Sequence, residues 1–202
     1  MRTELFTVSR IFTESLYRIP DYQRGYSWGD DQLADFWLDI EQISGDNKHY
    51  TGVLTLEEVP ESTWSKWDDD SWIIRSRRYK PYYIVDGQQR LTTVILLITA
   101  ILELNRPNHL NYTSREDVRK KYIFDSKPEE IARSYIFGYE KDNPSYEFLK
   151  KRIFLENSDI HAPDEQTIYT SNLSSAKAFC TNKIKDLKDP EVESLFTKIT
   201  QQ

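Results

Sequence analysis

Tyr82-Tyr83-Ile84-Val85-Asp86-Gly87-Gln88-Gln89-Arg90-Leu91-Thr92-Thr93, running on in mostly apolar residues to Leu104, is the stretch whose reading decides the fold. Tyr82 to Val85 is aromatic and β-branched, the composition of a short buried strand. From Leu91 the apolar run is too long for a second strand, so a buried helix is expected. The two meet at a polar cluster, Asp86 to Arg90. A helix start presents unpaired N–H groups and a partial positive charge, which suits an anion such as phosphate. Gly87 lets the backbone approach a ligand closely, and Arg90 adds a planar, fixed cation. A plainer reading stands beside this one. Asp86 and Gln89 have the spacing of a capping box, and Gly87 serves a tight turn. Capping leaves Gln88 and Arg90 unexplained.

The chain around this turn has 202 residues, enough for one domain or one and a half with a real core. Its net charge of -6, from 27 Lys+Arg against 33 Asp+Glu, argues against non-specific duplex binding by the chain as a whole. A local basic patch stays open. Cys180 is the single cysteine, which rules out an internal disulfide and points to a reducing compartment, the cytoplasm. Three histidines and one cysteine do not make a Cys/His zinc site of the usual spacing. Met1 to Glu4 leads into a mixed segment rather than the apolar core of a signal peptide. Leu91 to Leu102 is shorter than the ~20 residues a membrane span needs, so no membrane partner is expected.

Upstream, Leu5 to Val8 reads as a first strand and Ser9 as the cap of a short helical turn through Phe12. Leu16 to Ile19 alternates as an edge or half-buried strand does, and Pro20 stops it. The loop Asp21 to Trp28 mixes Tyr22, Tyr26 and Trp28 with Gln23 and Arg24, the chemistry that stacks a base and holds a phosphate; packing on the core is the simpler use of its aromatics. Asp30 or Asp31 caps a helix whose Leu33, Phe36, Trp37, Ile40 and Ile43 share one face, and Gly45-Asp46-Asn47 ends it. Tyr50 to Val59 reads as a strand, with Gly52 marking a bulge or a close backbone approach. His49, just before it, reads as a polar surface residue. Pro60 to Lys80 is a polar excursion carrying Trp64, Trp67, Trp72 and Asp68-Asp69-Asp70, a solvated loop in a long hairpin-like connection.

Downstream, Asn105 to Asn108 breaks the long helix. Ser114 and Asp117 open a helix through Lys121, Tyr146 to Phe154 reads as a helix, and Leu173, Ala176, Cys180, Ile184 and Leu187 mark an amphipathic helix from Asn172 to Leu187. Tyr122 to Phe124 and Ile131 to Phe137 suit strands or helix pieces equally. A last helical pattern starts at Glu191, and the chain stops within it, as a fragment of a longer protein would. Two units are drawn, residues 1–105 and a mainly helical extension, 106–202.

Ile19-Pro20-Asp21-Tyr22-Gln23-Arg24-Gly25-Tyr26-Ser27-Trp28 resembles the motif IPxYQRxYxW. His49-Tyr50-Thr51-Gly52 is similar to an aromatic-x-Gly step, and Asp86 to Thr93 to the motif DGQQRLTT. Together they resemble the N-terminal domain of GmrSD-type modification-dependent restriction proteins, related to the ParB/sulfiredoxin fold. The resemblance covers roughly the first hundred residues and extends more weakly beyond them, through Gly138-Tyr139-Glu140 to Leu149. It implies an α/β (α+β) fold, a ParB/sulfiredoxin-like domain with a small mixed sheet, followed by a mainly helical segment. It also implies a domain that binds and hydrolyses a nucleoside triphosphate in defence against phage DNA. The partners implied are modified phage DNA and an HNH nuclease domain or subunit, with homo-oligomers left open. Carried residue by residue, it makes Asp86, Gln88, Gln89 and Arg90 catalytic, with Asp86 holding Mg²⁺ or a water. Tyr22, Gln23, Arg24, Tyr26, Trp28, Gly52, Gly87, Thr92 and Thr93 become nucleotide-binding. His49, His109 and His161 form no HNH arrangement, and no Walker loop is present. The alternative is a non-catalytic module that reads modified DNA or a partner nuclease subunit through the Tyr22 to Trp28 aromatics.

Overall fold

A computed structural model describes residues 4–43, 50, 52–127, 133–155 and 167–201. The helix stop expected at Gly45 to Asn47 lies outside the described residues, as do His49, Thr51, Ile131 and His161. In chain order, α1 (Val8–Ile11) precedes β1 (Ser15–Ile19), α2 (Asp30–Gln42), β2 (Thr55–Glu58), α3 (Glu61–Trp64) and α4 (Ser71–Arg77). Then come β3 (Lys80–Asp86) and α5 (Gln88–Glu103), the expected strand–turn–helix. A small hairpin, β4 (His109–Leu110) with β5 (Thr113–Ser114), leads into α6 (Arg115–Tyr122). The chain continues through β6 (Phe124–Ser126), β7 (Arg133–Tyr135), β8 (Phe137–Tyr139) and α7 (Ser145–Phe148), which runs into a π-helical turn, Leu149–Ile153. The helices α8 (Ile168–Ile184) and α9 (Asp189–Gln201) follow.

The main sheet has the order β2-β3-β1-β8. β3 and β8 run parallel to β1, and β2 runs antiparallel to β3. The fold is therefore mixed α/β around a small mixed sheet, as expected, and β2 and β3 form the hairpin read across Pro60 to Lys80, although that connection is no solvated loop: it carries α3 and α4 and buries Asp70, Ile73 and Ile74. Because β1, β3 and β8 are parallel, Ile19, Asp86 and Tyr139 leave the sheet at one end. Crevices at the carboxyl ends of parallel strands are where open α/β sheets take ligands.

α5 is buried on every side from Leu91 to Leu102. A helix apolar all round has to be enclosed, and α6, α8 and α9 pack against it. Each Leu or Ile buried there contributes about 1.5–3 kcal/mol. α8 presents Leu173, Ala176, Cys180 and Ile184 to the core. It starts ahead of the expected Asn172 because Thr167 caps it, accepting from Thr170 N at 3.2 Å. α6 is capped as read, with Ser114 Oγ accepting from Asp117 N at 3.1 Å. The apolar core runs without a break from Leu16 and Ile84 to Leu173 and Phe196, and β8 of the later half pairs with β1 of the earlier one. Among the described residues no helix is long and apolar enough to cross a membrane.

Several local readings need correction. Leu5 to Val8 is no strand: Leu5 and Phe6 are exposed, and Val8 already belongs to α1, whose cap is Thr7 rather than Ser9. β1 is neither half-buried nor an edge. It lies between β3 and β8 with all its residues buried, Arg18 included. The alternation that suggested an exposed face comes from that arginine, which is answered inside by Asp70 at 2.5 Å. β2 is shorter than Tyr50 to Val59, because Gly52 at φ 111° bends the chain before Thr55. The register shift falls between Thr55 and Leu56.

Candidate functional site

Gly87 joins β3 to α5 with φ 88° and ψ 5°, the left-handed conformation that favours glycine. A Cβ there would stand 2.9 Å from the Val53 carbonyl oxygen, so the position excludes a side chain on two grounds. Gly87 is itself the N-cap, and no side chain caps α5. The Asp86–Gln89 capping box is therefore not formed. Asp86 Oδ1 instead accepts from Gly87 N at 2.8 Å. Gln89 turns away from its own helix.

It turns toward the Pro20–Trp28 loop. Gln89 Nε2 donates to Gly25 O at 3.1 Å, and its Oε1 accepts from Ser27 N at 2.8 Å. Gln88 Nε2 donates to Arg24 O at 3.0 Å and to Gln23 Oε1 at 3.2 Å. Gln23 Nε2 completes the lattice by donating to Val85 O at 2.9 Å. The two motifs that lie far apart in sequence are thus laced together across the end of β3. Gln88 is 7 % exposed, and its Oε1 is a buried acceptor without a partner among the described residues. An unmet acceptor costs free energy, and it sits in the first turn of the helix that the sequence marked.

The remaining residues divide by exposure. Tyr26 is fully buried, its hydroxyl 2.8 Å from Thr93 Oγ1. Burial pushes its ionisation well above the usual phenol range, with the Thr93 bond opposing. Thr92 and Thr93 are enclosed as well, donating to the Gln88 and Gln89 carbonyls at 2.7 and 2.9 Å. Trp28 is half-buried against Phe36, ring centres 6.0 Å apart. These four shape the site from within. Tyr22, 70 % exposed, Arg24 and Asp86 face outward. Arg90 is half-buried, its guanidinium lying against Gly52. Among the described residues no hydrogen bond or ion pair holds the side chain of Arg24 or of Arg90. Arg24 stands on the loop that Gln88 ties to the uncapped start of α5, and Arg90 on the first turn of that helix.

A family model described as the GmrSD restriction endonuclease, N-terminal domain, matches residues 4–202. The chain belongs to this family. Comparison with curated proteins finds no match. The match runs through the helical part as well as the motif-bearing half. As a GmrSD N-terminal domain the chain is a component of a restriction system, a setting that brings in DNA and a nuclease part.

Within this GmrSD domain the helical half also reaches the site. A Cβ on Gly25 would stand 2.6 Å from Tyr169 Cβ and 2.9 Å from its Cδ2, so the start of α8 presses on the loop. Asn172 Nδ2 adds a 3.3 Å bond to Tyr26 O. Reasoning from sequence missed Tyr169 and Asn172; the lone cue was Gly25, a glycine among bulky neighbours.

Proposed function

We propose that the mouth formed by Asp86 to Arg90 and Tyr22 to Arg24 binds and hydrolyses a nucleoside triphosphate, and that this turnover controls the nuclease part of a DNA-restriction system. The observation that carries the reading is the uncapped start of α5 at a left-handed glycine, with Arg90 and Arg24 beside it. Free N–H groups and a helix dipole suit phosphate, and arginine adds charge in a fork that fits phosphate oxygens.

Gln88, Gln89 and Gln23 hold the backbone of the loop at the helix start, so the loop's position is set before a ligand arrives, while the exposed Arg24 side chain is left to reach for it. Preorganised donors of this kind stabilise charge that grows in a phosphoryl-transfer transition state. Arg90, on the rigid helix, supplies that charge most directly. Tyr22 stacks the base. Asp86 keeps its second oxygen for a water or for a metal.

A magnesium ion fits this donor set in one way. Among the described residues no group of three or more His, Cys, Asp or Glu side chains is arranged to hold a metal. One exposed carboxylate suits an ion carried in on the triphosphate, since Mg²⁺ is usually held by one or two carboxylates plus substrate phosphates. Asp86 is that carboxylate, and the ion's contribution is to neutralise phosphate charge.

The alternative reading, a module that senses modified bases through this loop, keeps one outward aromatic, Tyr22, because Tyr26 and Trp28 are packed. The deciding experiment is titration calorimetry and phosphate release with each ribonucleoside triphosphate and Mg²⁺. Saturable binding that weakens at least tenfold in Arg90→Ala, with turnover lost in Asp86→Ala, is expected. Wild-type heat no greater than that of buffer overturns the proposal.

A further inference from the structure

On the sheet face that carries Arg18, a cleft of about 290 Å³ opens at the carboxyl ends of β1 and β8. The strand register puts Arg18 beside Tyr83 on one flank and Gly138 on the other, so these three share a face. Tyr139 points the other way and meets Tyr26, whose hydroxyl reaches Thr93 of α5. Tyr139 and Asp21, the residue before Tyr22, line the cleft as well, so it adjoins the proposed nucleotide site.

Its floor is an ion pair already satisfied. Arg18 Nη2 donates to Asp70 Oδ2, Arg18 Nη1 donates to Tyr17 O at 2.8 Å, and the pair is almost wholly buried. An anion would find that charge answered. Around the floor the balance is negative: carboxylates outnumber cations six to three among the lining residues, the floor pair included. Asp68 and Asp142 stand exposed at the rim. Lys66 and Lys141 are countercharges in the lining and Lys150 pairs with Asp69 at 4.0 Å, which still leaves the opening acidic.

The walls are aromatic and suited to cations. Trp67 and Tyr146 line the cleft. Arg18 lies over the Trp67 ring at 5.6 Å, and Lys150 over the Tyr146 ring at 4.8 Å. A guanidinium or ammonium beside such rings is attracted by the negative face of the ring, more strongly when desolvated. A bare divalent ion needs several oxygens converging on one point, and among the described residues no such group forms. An organic cation needs only dispersed carboxylates and a flat apolar wall.

We propose that this cleft binds an organic cation, a guanidinium or primary ammonium group, against Trp67 and the carboxylates of its rim. The group comes either from a free amine or from an arginine or lysine side chain of a partner protein. The proposal stands on the cavity and does not depend on the nucleotide reading.

The test is calorimetric titration of the 202-residue chain with agmatine and with an arginine-centred tripeptide, each against sodium chloride at equal ionic strength. Saturable binding beyond the salt control is expected. It should fall at least fivefold in Asp68→Asn/Asp142→Asn and in Trp67→Leu. The first variant removes exposed charges, so an unchanged melting temperature is expected there. Agmatine binding with the tripeptide excluded assigns the site to a free amine; binding of the tripeptide assigns it to a partner side chain. No saturable heat from either ligand, or equal affinity in the wild type and in both variants, overturns the proposal.

Discussion

The guanidinium of Arg90 lies against the backbone of Gly52: a Cβ built on Gly52 would stand 2.8 Å from Cζ and 3.0 Å from Nη2. Gly52 also has φ 111°, where a side chain costs about 1–3 kcal/mol of backbone strain. Gly52→Ala therefore combines strain with displacement of the cation. The expected outcome is a triphosphate affinity at least tenfold weaker, close to that of Arg90→Ala, with a stability loss of about 1–3 kcal/mol in urea titration. Were Gly52→Ala to bind as the wild type does while Arg90→Ala did not, the contact would have no part in placing the guanidinium.

Gln89 ties both ends of its amide to the loop, to Gly25 O and Ser27 N. Truncation to alanine leaves a half-buried donor and acceptor unmet, at about 1–3 kcal/mol. Gln89→Ala is predicted to loosen the loop while leaving α5 intact, because the helix bonds are its own. Amide hydrogen exchange checks this: the Ser27 amide should lose protection, and amides from Val94 to Ala100 should keep theirs. Equal loss at both places would mean that Gln89 supports the fold as a whole.

The reach of sequence reasoning follows the range of the interactions. α5 was legible because an unbroken apolar run carries its own signal, and the α6 cap was legible because Ser114 and Asp117 are neighbours. Gln89 looked like a capping residue because the local spacing fits, and nothing local reveals that its partners lie across the fold in the Gly25 loop. Arg18 looked like an exposed strand position because its neutralising carboxylate, Asp70, is 52 residues away. Tyr26 stood among glutamine and arginine and read as a ligand contact, yet its hydroxyl is taken up by Thr93. Tyr169 left one faint trace, since its partner Gly25 shows the contact only by lacking a side chain.

Arg18 and Asp70 make a further prediction by their burial, 6 % and 11 % side-chain exposure. Removing one partner strands the other charge inside, at about 3–5 kcal/mol, whereas replacing both by apolar groups of similar size is often neutral. Asp70→Ala is predicted to lower stability by about that amount. Arg18→Met/Asp70→Leu should recover most of the loss. Urea denaturation of the three proteins tests it. A double variant as unstable as the single one would show that the pair is needed for its hydrogen bonds, including that to Tyr17 O, rather than for mutual neutralisation.

Buried acids give the fold a limit at alkaline pH. Burial pushes the phenols of Tyr17, Tyr26 and Tyr139 up from 10.0, and the thiol of Cys180 from 9.0 to about 12. Each group is neutral in the fold and ionises more readily once unfolded. The stability it contributes is complete below the unfolded value and is lost as pH climbs through the folded one. For Cys180 that window runs from pH 9.0 to about 12, and for the tyrosines it begins at 10.0. Each unit of pH inside the window removes about 1.4 kcal/mol per group that titrates only in the unfolded chain. Urea stability is thus expected to hold steady up to pH 8 and to fall, with steepening slope, between pH 9 and 11. Cys180→Ser should abolish the earlier part of the decline and leave the tyrosine part. At pH 8 the native thiol should resist a disulfide reagent and react at once in denaturant. A stability profile flat to pH 11, or a native thiol as reactive as the unfolded one, would show that Cys180 and these rings are not sealed in the core.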